Sequence, residues 1–344
     1  MTGRAVIIDT DPGLGQPGSD IDDGLAIALA LRSPELDVLG LTIVNGNVDE
    51  PVGVNVARRL AARLGRSDLP VLSGAKAPLV RTMGPIRDLF ASFGAHASTA
   101  DSEPSLGPTS DEPAADFLCR IVRARPGAVT VIAIGPMTNL AHAIQQDRTF
   151  ARNVGELVLM AGSATGYAHN VTTVGDFNTY VDPEALHIVL NSGARVRMVG
   201  IDQTSRVELT LEDADWLSTR GDDFGRYVGE CARAWIAFLG SALPGRPEHQ
   251  TACFLHDPLV VGAVIDPQLL TWADAHVQTE LSSELARGLV VADLGLSLTP
   301  HRPWNARVAT DTAVAPFRRL LLDRLITQPD AVDVDGSKTA QESQ

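Results

Sequence analysis

Asp9, Asp11, Asp20, Asp22 and Asp23 all fall within the first 23 residues, in the string AVIIDTDPGLGQPGSDIDDGLAIALAL. An apolar run over residues 5–8 leads into Asp9-Thr10-Asp11-Pro12-Gly13, and a helix-like apolar pattern starts at Gly24. The carboxylates therefore gather where a buried strand ends and a helix begins, the edge of an open α/β sheet at which ligands bind. Asp9 and Asp11 are two apart, so on an extended backbone their side chains point the same way. Asp22 and Asp23 precede an amphipathic helix, where carboxylates meet free N–H groups and the positive end of the dipole. Like charges this close repel unless a cation or a set of donors compensates them. Oxygen-only ligands suit Ca²⁺ or Mg²⁺, whereas zinc usually recruits His or Cys. A hard-metal site at the first strand is the expectation.

Other stretches carry similar groups. In His256-Asp257-Pro258 the aspartate would complete a carboxylate cage, and the histidine titrates near neutrality and can donate a proton. Asp176-Phe177-Asn178, with Asn170 upstream and Asp182-Pro183-Glu184 downstream, offers the carboxylates and amides that pair with sugar hydroxyls. Thr42-Ile43-Val44-Asn45-Gly46-Asn47 and Gly135-Pro136-Met137-Thr138-Asn139 each follow a strand pattern, and the second also offers backbone carbonyls. Taken singly, each of these is also an ordinary turn or helix cap.

The elements that would position these groups alternate. Short aliphatic runs at residues 5–8, 39–44, 129–134, 157–160 and 196–200 predict strands, and residues 24–32, 52–64, 114–123, 137–146 and 183–191 predict helices. Such alternation, with nearly continuous apolar strands such as VTVIAI, predicts a single α/β domain over residues 1–326. Its sheet is mainly parallel, open and doubly wound. After Thr210 the chain becomes mainly helical to about Val264, placing a helical segment near the active-site edge. Short strands around residues 275–279 and 288–291 and a last helix over 315–326 follow. Residues 96–113 predict a long polar loop, and 327–344, without apolar periodicity, a disordered tail.

With 344 residues, 44% of them hydrophobic, the chain has material for a sizeable core. A net charge of −14 argues against a nucleic-acid surface. The apolar run before Asp9 is too short for a signal peptide, and no stretch approaches the ~18 apolar residues of a membrane span. Cys119, Cys231 and Cys253 lie far apart, which fits reduced thiols in the cytosol better than a disulfide frame. A cytoplasmic protein with no membrane partner is expected.

DTDPG with a following Asp-Asp, then TIVNGN, AIGPMTNLA, DFNTYVDPEA and HDPL, in this order and spacing, resembles the nucleoside hydrolase family of the inosine–uridine-preferring type. The resemblance runs from about residue 5 to 326. It implies a single-domain α/β fold that binds Ca²⁺ at the C-terminal edge of the sheet and hydrolyses ribonucleosides to ribose and free base, as a homodimer or homotetramer. By resemblance, Asp11 binds the calcium and activates the attacking water. Asp23 is a bidentate ligand, Asp257 a distant ligand, and Ile134 contributes its main-chain carbonyl. Asp9 supports the site, Asp22, Asn47, Asn170 and Asn178 hold the ribose hydroxyls, and His256 is the candidate acid for the leaving base. Tyr227, Arg233 and His249 fall where the family places base-contacting residues.

Three departures stand out. Residues 14–21 separate Pro-Gly from Asp-Asp where the family has a single residue, so this segment must bulge outward if Asp11 and Asp23 are to meet one metal. Asp176 replaces a glutamate and is one methylene shorter, so its contact with a sugar hydroxyl would run through water or a shifted substrate. The family's His-Gly-x-Asp-Gly stretch is absent, with Arg87, Phe90, Phe93 and His96 in that region. Trp216, Trp235 and Trp272 are expected in the core, and Trp304, near a strand start, is a candidate to line a pocket. Two other function classes stay open: a ribose- or nucleoside-binding protein without turnover, and a Mg²⁺ phosphatase of haloacid-dehalogenase type. The latter wants Thr or Val where this chain has Gly13, and its Lys-bearing motif is missing.

Overall fold

The computed structural model describes residues 3–92, 110–166, 168–295 and 302–326. In chain order the strands are β1 (Arg4–Thr10), β2 (Leu36–Ile43), β3 (Val71–Ser73), β4 (Thr130–Ala133), β5 (Glu156–Met160), β6 (Val196–Val199), β7 (Glu208–Thr210), β8 (Ala252–Phe254), β9 (Leu270–Thr279), β10 (Val290–Asp293) and β11 (Ala306–Thr312). One sheet runs β10-β9-β11-β6-β5-β4-β1-β2-β3, and β7 pairs with β8 apart from it. Neighbours from β3 through β11 are parallel. Toward the other edge, β9 pairs antiparallel with β11 and the edge strand β10 antiparallel with β9.

The order places β1 at the switch point. The chain runs outward from β1 through β2 to β3, then returns to β4 on the other side. Connections leaving in opposite directions open a crevice beyond the C-terminal ends of β1 and β4, where ligands bind in such sheets. The β1 residues make both faces of the sheet apolar: Val6 and Ile8 join one buried layer and Ile7 the other, as strand alternation requires.

Two helices fill the first layer. Asp22–Leu31 is buried from Asp22 to Ala30, and His256–Ile265 from His256 to Val264. A helix that is apolar all round must lie in the interior, and these two pack against each other. Each puts carboxylates in its first turn, Asp22 and Asp23 in one and Asp257 in the other.

The expected α/β architecture is the one observed. The five early strands and five early helices sit where the apolar patterns place them, within a few residues at each end. Several elements escaped the pattern, including β7, β8 and the short helices Phe150–Asn153, Phe177–Val181 and Ile201–Thr204, and three others show why. β3 is three residues long, too short to show a period. β11 carries the exposed Arg307 and Asp311, which interrupt its apolar run. The helix Gly84–Ser92 falls in a stretch with no clear periodicity. Most of the expected loop at 96–113, including His96, as well as Phe93 and the tail from 327 on, lie outside the described residues. The described cysteines are free thiols, with Cys119 and Cys253 buried. Among the described residues no helix is long and apolar enough to cross a membrane.

The last helix, Val314–Ile326, docks through Phe317, Leu321 and Leu325, all buried in the layer that holds the two central helices. Phe317→Ala should therefore cost about 3–5 kcal/mol in denaturant unfolding. A loss below about 1 kcal/mol would show that this helix is not part of the core.

Candidate active site

Strand alternation at the end of β1 distributes its polar residues. Thr10 faces the helix Asp22–Leu31, and its hydroxyl donates to Asp23 Oδ1. Asp9 faces the other way, where its Oδ2 accepts from Thr42 Oγ1 at 2.5 Å and from Asn139 Nδ2 at 2.9 Å. Asp11 lies just past the strand, at the rim between the layers. Its N–H donates to Asp23 Oδ1 at 3.1 Å, and its Oδ2 accepts from the Asn47 N–H at 2.7 Å. The loop after β2 can come this close because residue 46 is glycine: a Cβ there would lie 1.8 Å from Asp11 Oδ2. Asn47 also reaches Asp23 Oδ2 through its Nδ2 at 2.9 Å.

The second central helix closes the cluster. Asp22 Oδ2 accepts from the N–H groups of His256 and Asp257, at 3.1 and 3.4 Å. Asp22 thus caps a helix more than two hundred residues away and holds Asp257 beside its own helix N-terminus. One oxygen from each of Asp22, Asp23 and Asp257 lies within 4.8 Å of the others. Residues 14–21 do not keep Asp11 from Asp23, because both ends of the segment turn inward: Leu14 and Ile21 are buried, while Gly15 and Pro17 are exposed.

Burial dominates the electrostatics. It pushes the carboxyl of Asp9 up to about 7 and, with the charge of Asp22, that of Asp23 to about 7. Asp11, Asp22 and Asp257 are raised well above the usual range by burial and by their acidic neighbours. Two buried oxygens, Asp9 Oδ1 and Asp11 Oδ1, have no hydrogen-bond partner. Buried carboxylate oxygens without donors are costly. An all-oxygen set with unspent lone pairs fits a hard divalent cation, which would relieve both the repulsion and the missing contacts.

The cluster opens onto a cavity of about 380 Å³. Its polar walls include Asp20, Asp22, Asn47, Asn170, Asn178, His256 and Asp257, and Ile134 also lines it. Asn178 donates from Nδ2 to the carbonyls of Ile134 at 2.7 Å and Met160 at 3.2 Å, fixing the backbone at the ends of β4 and β5. Asn170 Oδ1 accepts from the Phe177 N–H at 2.9 Å. Asp176 is buried and off the cavity wall. It accepts from Gly162 N–H at 2.7 Å and caps the helix Phe177–Val181 through the Thr179 N–H at 3.2 Å. In this structure its short side chain holds the helix that carries Asn178.

His256 Nδ1 pairs with Thr204 Oγ1 at 2.8 Å, and burial pushes the imidazole down to about 4, so the ring is neutral near pH 7. Beside it Phe254, His249, Trp235 and Phe238 form the apolar wall. Trp235 and Phe238 stack at 5.4 Å, and Phe254 lies 6.1 Å from the His256 ring. Trp235 packs against the core as expected but has a second role, and Trp304 does not reach the cavity. Trp235 lines the cavity because the helix Asp223–Ala242 turns one face to it, whereas Trp304 is 46% exposed and away from it. His249 reaches the cavity, but Arg233 pairs with Asp215 and Ser218, and Tyr227 contacts the Leu14 carbonyl. Sequence reasoning passed over Thr10, Thr42, Asn139 and Thr204. The first three stand inside motifs already singled out, so their positions were visible though their partners were not. Thr204 carries no such signal.

The sequence profile described as inosine-uridine preferring nucleoside hydrolase matches residues 6–319. The chain is 34% identical over 331 residues to a probable uridine nucleosidase of Arabidopsis thaliana, covering 94% of this chain and 98% of the relative. It is 33% identical to a pyrimidine-specific ribonucleoside hydrolase of Citrobacter koseri, covering 93% and 97%. Among solved structures, a purine-preferring ribonucleoside hydrolase from Gardnerella vaginalis superposes with a TM-score of 0.81 at 28% identity, covering 93% of this chain and 98% of that one. A plant nucleoside hydrolase superposes at 0.78 with 31% identity, covering 94% and 99%.

Raised carboxyl values make stability depend on pH. Asp9 and Asp23 keep their protons up to about 7 when folded but lose them near 3.8 when unfolded. Without a divalent cation the folded state is therefore favoured below about pH 4 by these two groups and loses that advantage as pH rises through about 7. In melting experiments on chelator-treated protein, Tm should fall across this window, and excess Ca²⁺ should restore more at pH 8 than at pH 5. A chelated protein whose Tm is flat, with Ca²⁺ giving no gain at pH 8, would show that the carboxylates do not form a cation site.

Proposed function

The chain belongs to the inosine-uridine preferring nucleoside hydrolase family, and from that membership we propose that it hydrolyses the N-glycosidic bond of ribonucleosides with Ca²⁺ held by Asp11, Asp23, Asp257 and the Ile134 carbonyl. Its relatives act on ribonucleosides, and the chain aligns with them over nearly its whole length. The partnerless Asp9 Oδ1 and Asp11 Oδ1 at the switch point of the sheet carry the assignment to this site. Bound there, Ca²⁺ would supply charge against the carboxylate repulsion and polarise the oxygens it meets.

The protein's own groups divide the remaining work. Asp11 has Oδ2 anchored by the Asn47 N–H and Oδ1 free, so Oδ1 takes the proton of the attacking water. The water oxygen bonds to the anomeric carbon as the carbon–nitrogen bond breaks, through a ribose that carries positive charge. The surrounding carboxylates stabilise that charge without reorganising. Asp22, Asn47 and Asn178, on the cavity wall, hold ribose hydroxyls, with Asn170 at the exposed side. Asp9 supports the cluster from behind, tied to Thr42 and Asn139. Asp176 contributes through the helix that it caps.

His256 meets the leaving base. Thr204 occupies Nδ1, which leaves Nε2 for the cavity. The neutral ring gives the departing nitrogen a hydrogen bond, and the Phe254 and Trp235 side offers the base an apolar surface.

A panel of purine and pyrimidine ribonucleosides should release reducing sugar from at least one member, with EGTA abolishing turnover and Ca²⁺ restoring it. Asp11→Asn should keep the melting temperature near that of the wild type and lower kcat by about 10³–10⁴-fold. No ribose from any nucleoside in Ca²⁺-loaded protein would sink the hydrolase assignment. Near-normal turnover by Asp11→Asn would place the general base elsewhere.

A further inference from the structure

Residues 14–21 join β1 to the helix Asp22–Leu31, and both ends of the segment are packed into the body of the protein. Leu14, Ser19 and Ile21 are buried. Two turns fold the segment back on itself, with the Gln16 N–H donating to Gly13 O at 2.8 Å and the Ser19 N–H to Gln16 O at 3.2 Å. A latch from outside holds it: the Tyr227 hydroxyl donates to the Leu14 carbonyl at 3.4 Å. Gly15 makes that contact possible, since its φ is +84° and a Cβ there would lie 2.3 Å from the Tyr227 hydroxyl. Tyr227 stands on the helix Asp223–Ala242, whose later turns supply Trp235, Phe238 and Leu239 to the cavity wall.

So held, the segment brings Gly18, Ser19 and Asp20 to the cavity wall beside Asp22 and Asp257. Ser19 is 8% exposed, and its hydroxyl packs inward against Gly13, without a hydrogen-bond partner among the described residues, so this residue anchors the segment. Asp20 Oδ1 accepts from the Ile21 N–H at 2.6 Å, the Asp22 backbone and side chain also hydrogen-bond to its carboxyl, and no ion pair reaches it among the described residues. A carboxylate that can accept a further hydrogen bond thus stands at the wall of a nucleoside-sized cavity, on a segment anchored by Ser19.

We propose that Asp20, on the segment that Ser19 anchors, forms a polar subsite of this cavity, in which it accepts a hydrogen bond from an O–H or N–H of the bound nucleoside and sets substrate choice. This rests on the nucleoside hydrolase function above. The donor must be neutral: a phosphate would meet Asp20, Asp22 and Asp257 together and be repelled. The subsite therefore selects nucleosides over their phosphorylated forms, and Tyr227 is the positioning residue that keeps it in place.

The test compares the wild type, Asp20→Asn and Tyr227→Phe, all loaded with Ca²⁺, on the best nucleoside from the panel. Its 2′-deoxy, 3′-deoxy, 5′-deoxy and base N-methyl analogues serve as competitors, each scored by its inhibition constant, so slow turnover of an analogue does not matter. Asp20→Asn should raise KM about tenfold with kcat within about threefold of wild type, the loss of one charge-assisted hydrogen bond. Tyr227→Phe should raise KM by a smaller factor with kcat unchanged. One analogue, lacking the donor that Asp20 takes, should bind wild type and Asp20→Asn equally, and whether it is a sugar or a base analogue identifies the source. Unchanged KM in Asp20→Asn, or a penalty equal across all analogues, would overturn the subsite while leaving hydrolysis standing. A wild type that hydrolyses nothing would instead fail the function on which the subsite rests.

Discussion

The carboxylate of Asp22 accepts hydrogen bonds from the first N–H groups of the helix His256–Ile265 while standing in the first turn of the helix Asp22–Leu31. This contact joins two helix N-termini in the interior and forces Asp22, Asp23 and Asp257 into one place. Each helix is buried along almost all its length, so neither can rotate away without exposing apolar surface. The positive ends of both dipoles favour negative charge there, and the amides cap it. The apolar packing between the helices thus holds the acidic cluster against its own repulsion.

The sheet supplies the other half of the frame. β1 lies where the strand connections diverge, so Asp9 and Asp11 are carried to the crevice end of the sheet, with the loop after β2 closing over Asp11. The ends of β4 and β5 are pinned by Asn178, which sits on a short helix that Asp176 caps. Side chains far from the reacting bond therefore set the geometry of the cavity. A residue tied up in such support, as Asp176 is, contributes through another group's position.

The cavity has two chemically distinct sides. Carboxylates and amides line the floor beside the strands, and Trp235, Phe238, Phe254 and His256 line the wall from the helical region after β7. That division matches the two halves of a nucleoside, a polyol and a flat, largely apolar base. His256 belongs to both sides, since its backbone N–H serves Asp22 while its ring, paired with Thr204 at Nδ1, lies beside the aromatic wall.

Much of this was legible in the order of residues. The apolar runs place the strands and helices because burial on both faces of a parallel sheet leaves no polar positions to disguise them. Asp9, Asp11, Asp22 and Asp23 announce themselves through local crowding, and HDPL stands out by its residue types. The short β3 and the charged β11 stayed hidden because a period needs length and contrast to be seen. What the sequence could not contain is which distant groups meet: that Asp22 caps a helix starting at His256, that Thr204 claims His256 Nδ1, that Trp235 rather than Trp304 reaches the cavity, and that Asp176 turns inward. Those choices depend on the relative placement of elements far apart in the chain. That placement is fixed by which apolar faces pack together, a property of the whole fold and not of any local run of residues.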